Sequence, residues 1–232
     1  MKSIIKFFAL SVLMMALVSP TFAQKKKKGN VINEAQVKYT ITADGGMAAA
    51  FTGSTVDLFF TPDNSKVLAN VMNGMIKVDL RMDNKKKKGL MLMDMMGQKK
   101  MAEMGEDDMK QPKQENKKPT DVKYLNKYKK IAGYKCQEVK VSVDGMKEPA
   151  TVYITEKIQA GNLDNVSMMQ FTGLKGFPLA WEFAQDGTSV KMEATAVKLD
   201  KLPKSTFDMT APEGYEKMSM EDLQGLGGTL GM

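Results

Sequence analysis

Histidine is absent from all 232 residues, and cysteine and tryptophan occur once each. Without histidine the chain lacks the commonest general base and the commonest metal ligand. A single cysteine, Cys136, excludes an internal disulfide. It lies in the alternating run GYKCQEVKVSV, where a small buried hydrophobe is expected. No glycine-rich phosphate loop occurs, and the neighbouring carboxylates Asp107 and Asp108 sit in a charged run with no apolar surroundings to raise a pKa. These absences point to a non-enzymatic protein that needs no cofactor. Beyond the first residues there is also no apolar run of the ~20 residues that a spanning helix requires, so no transmembrane segment is expected in the mature chain.

What is present begins with MKSIIKFFALSVLMMALVSPTFAQ. Lys2 and Lys6 mark the basic start of a largely apolar stretch from Ile4 to Val18, and Thr21-Phe22-Ala23 follows it with small residues at the two positions that a signal peptidase reads. Residues 1–23 read as a signal peptide cleaved near Ala23, and no cysteine follows for lipid attachment. The expected product is soluble and periplasmic or secreted. The formal charge is +7; export sets nucleic acid aside as a partner and leaves an anionic envelope surface as the candidate.

Alternation dominates the rest. MIKVDLRM puts Ile76, Val78, Leu80 and Met82 on one side and Lys77, Asp79 and Arg81 on the other, the pattern of a half-buried strand. SVKMEATAVKL, QVKYTIT, EVKVSVDG and ATVYIT repeat it, and LAWEF sets Leu179, Trp181 and Phe183 on one face. Turn signals at Asp44, Pro62, Asn73, Asp83, Asp144 and Gln185 leave connections too short for parallel crossovers. The fold class is therefore mostly β: a curved antiparallel meander forming a half-open barrel, with a few short helices. One helix is expected after Ser219, as an N-cap with Asp222 three residues on, and another in TEKIQAGNL. Residues 24–30 read as a basic flexible tail and residues 31–232 as a single β-rich domain, with a mobile charged loop at about 98–121.

Methionine is the unusual component, with 22 in the chain, seven of them in GLMLMDMMGQKKMAEMGEDDM from Gly89 to Met109. Met91, Met93 and Met95 alternate, so a strand would aim all three at one face, attached about 6.8 Å apart. Thioethers are soft ligands for monovalent copper, which makes these three a candidate metal set. They are equally an adaptable apolar lining, or plain core. LMLM is apolar on both sides of its strand, which implies cover on two faces.

At KKIAGYKCQEVKVSVDG and ATVYITEKI, with the Met-rich hairpin and the closing FDMTAPEGYEKM, the chain resembles a set of uncharacterised exported bacterial proteins known as a domain of unknown function. Those proteins resemble the periplasmic lipoprotein carriers of the Lol type. That resemblance implies a curved, half-open antiparallel barrel whose apolar concave face accepts acyl chains. An apolar or amphipathic, lipid-like ligand is accordingly the expected partner, with Val78, Leu80, Met91, Met93, Trp181 and Phe183 as candidate lining residues. The alternatives are copper on Met91, Met93 and Met95, or an envelope interaction or scaffold protein whose core is filled by its own residues.

Overall fold

The structure is a computed structural model that describes residues 31–110, 121–142, 147–160, 174–219 and 222. The expected signal peptide, the basic tail, most of the charged loop after Lys110 and the Asp144 turn lie outside these residues. Val31–Met232 make one compact unit.

Six strands follow one another along the first half: β1 (Ala35–Asp44), β2 (Thr55–Phe60), β3 (Asn64–Val71), β4 (Ile76–Asp83), β5 (Lys88–Met95) and β6 (Gln98–Met104). A short helix α1 (Glu106–Lys110) follows, then β7 (Asp121–Ile131), β8 (Tyr134–Ser142), β9 (Ala150–Thr155), β10 (Phe177–Gln185), β11 (Thr188–Lys198) and β12 (Glu216–Lys217). All twelve belong to one sheet of order β12-β6-β5-β4-β3-β2-β1-β11-β10-β9-β8-β7. Every pair is antiparallel except β12 on β6. Among the described residues β12 and β7 each have one strand neighbour, so the sheet is not closed into a barrel.

The meander thus runs in two arms, joined where β1 pairs with the late strand β11. Tight turns drive each arm. Met96-Gly97, Ala132-Gly133 and Asp186-Gly187 are two-residue connections with positive φ at both residues, the twist that fits such a hairpin, and Met72, Asn73 and Gly74 take positive φ in the longer β3–β4 connection. Gly45 is required for another reason. At φ +88 a Cβ there would lie 2.1 Å from the Gly187 carbonyl oxygen, so the β1–β2 connection can press against the β10–β11 turn only without a side chain.

The second arm is strongly curled. Lys129 on β7 reaches Glu193 on β11 at 2.6 Å, although three strands lie between them in the sheet. On a flat sheet four spacings would separate them by roughly 19 Å, more than the two side chains span. The Lys129 ammonium also lies 5.4 Å from the centre of the Tyr153 ring on β9. The inner side of this curl therefore carries Lys129, Tyr153 and Glu193, with their cross-strand partners Cys136 and Ala180.

Two expectations need correction. The charged loop does not begin at Gln98: Gln98–Met104 is strand β6, paired along its length with β5, and α1 follows. Its charges are answered from far along the chain, Lys100 by Glu216 and Glu103 by Lys217. The first residues of TEKIQAGNL are not helical either. Lys157 and Gln159 use their backbone groups on Ile32, which fixes Ile158 in the core at 1% exposure, and residues from Gly161 onward lie outside the description. The Ser219 hydroxyl accepts from the Asp222 N–H at 3.1 Å, and the rest of the helix expected after Ser219 lies outside the described residues.

Candidate functional site

The β4–β5 hairpin gathers four of the six candidate lining residues. Its register sets Val78 opposite Met93 and Leu80 opposite Met91, so all four side chains project from one face, hereafter the apolar face. Ala69 and Val67 of β3 extend it on one side and Ala102 of β6 on the other. At its far end a Cβ on Gly89 would meet the Met104 methyl at 2.4 Å; the glycine leaves room for that methionine to lie across the strand. Val78, Leu80 and Met91 are half-buried, whereas Met93 is buried.

Trp181 and Phe183 stand on β10 opposite Met192 and Val190. Met192 pairs in turn with Ile41, and Ala194 with Tyr39. Following the register through β1, β2 and β3 puts all six candidates on the same face, in two groups with β3, β2, β1 and β11 between them. Tyr39 links the halves. Its ring sits 5.7 Å from that of Trp181, its hydroxyl donates to the Pro178 carbonyl at 3.0 Å, and burial pushes its pKa well up.

The centre of the face, Val37, Tyr39, Val56, Leu58, Phe60 and Val67, is packed core together with Ile158, Phe177 and Leu179. Its margins are open: Phe183 is 36% exposed and Trp181 half-buried. Val139, Val141, Val152 and Ile154 form a further buried cluster beside Trp181, with Leu174 against it. Among the described residues the face thus grades from sealed centre to accessible ends.

Met91, Met93 and Met95 do share a face, and their neighbours are apolar: Met93 and Ala102 pack with Val78, Met91, Met95 and Met218. The opposite side of the same strand is also covered, since Leu90 and Leu92 lie under Met209, Ala211 and Tyr215. Cover on two faces, as LMLM implies, is realised. What covers the second face was not legible: it is the chain's own 208–215 segment, anchored by Arg81, whose guanidinium donates to the Asp208 and Thr210 carbonyls while bonded to Asp79.

Cys136 is fully buried, and burial pushes its thiol up to about 11, so at neutral pH it is a protonated, inert core group.

The chain is similar to several solved structures. An uncharacterized conserved protein from Thermus thermophilus is similar in fold, with a TM-score of 0.51 at 8% identity over 82% of this chain and 92% of that one. Looser similarities extend to lipoprotein LppX from Mycobacterium tuberculosis, at TM-score 0.39 and 10% identity over 74% and 89% of the two chains. A LolA superfamily protein from Nitrosomonas europaea follows at 0.33 and 10% over 76% and 90%. Comparison with curated protein sequences finds no match. Residues 46–215 match DUF4412, a domain of unknown function, and the chain belongs to that family.

Proposed function

We propose that the protein is a non-enzymatic, exported binder of an apolar or amphipathic molecule, held at the open margins of the apolar face. The carrying observation is the single register that puts Val78, Leu80, Met91, Met93, Trp181 and Phe183 on one face, with five of the six left partly accessible. Unbranched methionine beside aromatic rings suits a flexible acyl-like ligand, because thioether chains re-pack around partners of varied shape. The expected lipid-like class agrees with this chemistry, and the leader at residues 1–23 is the reason to place the protein in the periplasm or outside the cell.

A fluorescent fatty-acid probe tests the reading. Phe183→Ser and Met91→Gln alter accessible side chains, so folding should survive, and each should weaken probe binding about three- to tenfold, the worth of one apolar contact. Probe binding that is absent, or unchanged in both variants, would sink the proposal.

A second reading, an interaction or scaffold protein with a self-filled core, draws on the sealed centre of the face, where Val37 and Phe60 are 0% exposed. It shares the fold and differs in leaving the margins for a protein. The copper reading has no observation of its own, because the methionines it needs are packed with apolar neighbours.

A further inference from the structure

The hairpin of β7 and β8 at the sheet edge carries an unusual share of the charge. Residues 121–142 contain Lys123, Lys127, Lys129, Lys130, Lys135 and Lys140 against Asp121 and Glu138, a net +4 within a chain whose total is +7. Some of this is locally answered: Lys129 by Glu193, Lys123 by Asp121, Lys140 by Glu138 and the Thr151 hydroxyl. Among the described residues no carboxylate pairs with Lys127, Lys130 or Lys135; Lys135 instead sits 3.9 Å from the centre of the Tyr128 ring.

Lysines along an edge can serve only to prevent strand-to-strand aggregation. That purpose does not require tyrosines, yet two lie exposed among them, Tyr124 at 37% and Tyr128 at 51%. An irregularity in β7 brings them together. Tyr124 faces Val139 and Tyr128 faces Gln137, so residues four apart in sequence stand opposite positions two apart, about 7 Å along the partner strand and on the same face. The Tyr124 hydroxyl is held by the Lys175 N–H at 2.9 Å. Tyrosine with an apolar body and polar tip, flanked by uncompensated ammonium groups on a linear edge, is the composition that settles at the headgroup level of a negatively charged bilayer.

We infer that the β7–β8 edge docks the protein on an anionic phospholipid surface through Lys127, Lys130, Lys135, Tyr124 and Tyr128. This rests on the charge and geometry of the hairpin and not on the apolar-face reading, and the two fail separately: docking is read without any acyl probe.

The test is co-sedimentation of Val31–Met232, a compact unit free of the apolar leader, with vesicles of phosphatidylglycerol and phosphatidylcholine or of phosphatidylcholine alone. Binding should require phosphatidylglycerol and weaken with salt. Lys127→Glu, Lys130→Glu and Lys135→Glu combined should weaken it roughly a hundredfold or more, while the same reversal at Lys85, Lys86 and Lys87 should leave it within about threefold of the parent, since that turn lies off the docking edge. Tyr128→Ser, at unchanged charge, should weaken it severalfold. No binding, equal loss from both triple variants, or retention of a soluble polyanion such as dextran sulfate without vesicle binding would each overturn the assignment. Circular dichroism of the variants distinguishes unfolding from lost docking, and Tyr128→Ser keeps the idea falsifiable if the triple variant misfolds.

Discussion

Lys129 and Glu193 are joined only because the sheet bends, which makes their ion pair a reporter of the curl. The hydrogen bond to Glu193 holds the Lys129 pKa above its ordinary value. For Glu193 burial pushes upward, but hydrogen bonds from Lys129 and Lys191 outweigh it and hold the carboxyl low. A depressed carboxyl stabilises the fold above the ordinary glutamate range and loses that contribution as pH falls through its folded value. A raised lysine stabilises below the ordinary lysine range and loses its share as pH rises through the folded one. The pair therefore acts between about pH 4.3 and about pH 10.4, the ordinary values of the two groups. Glu193→Gln should melt below the parent at pH 7, and the difference should close toward pH 3, as the glutamate of the parent becomes protonated. A gap of the same size at pH 3 would mean that packing, not charge, holds the curl. Both partners are partly exposed, so solvent screening keeps the effect modest.

Among the elements, the 208–215 segment is held to the sheet by Arg81 and by the packing of Met209, Ala211 and Tyr215 on Leu90 and Leu92. The Arg81 side chain is 12% exposed, its pKa is raised foremost by the bond to Asp79, and it donates to two carbonyls of the segment. Arg81→Ala should cost about 1–3 kcal/mol and speed amide exchange in residues 206–218 while leaving β1–β3 protected. Uniform acceleration through the whole sheet would show that the segment is not a separable strap. Strands such as Ile76–Asp83 and Thr188–Lys198 were legible from alternation because one side of each is apolar and the other polar. The polar side meets water at Ser189 and Thr195 and is paired beneath the 208–215 segment at Asp79 and Arg81. β6 was hidden because its charged residues find partners at Tyr215, Glu216 and Lys217, more than a hundred residues later, and no local pattern announces a parallel pairing of that kind. For the candidate site, Val78, Leu80, Met91 and Met93 could be placed together since a short lysine-rich turn fixes their register. That Trp181 and Phe183 share their face depended on the β10–β11 and β1–β11 registers, the second of which joins strands from opposite ends of the chain. A one-residue slip at either would have turned them away.

Across the whole molecule, one open sheet presents two chemically distinct regions: an apolar face that is sealed in the middle and accessible at its ends, and a basic, tyrosine-bearing edge. A binder of lipid-like molecules has use for both, the first to hold a ligand and the second to meet the surface from which it comes. Ligand binding at the apolar face is decided by organic extraction and mass spectrometry of the protein purified without detergent from the envelope of its own host. A recurrent acyl-containing molecule near one per chain is expected, with less of it in Phe183→Ser. Protein that is folded, free of any such molecule and unable to take up a fatty acid added afterwards would contradict a lipid-binding role.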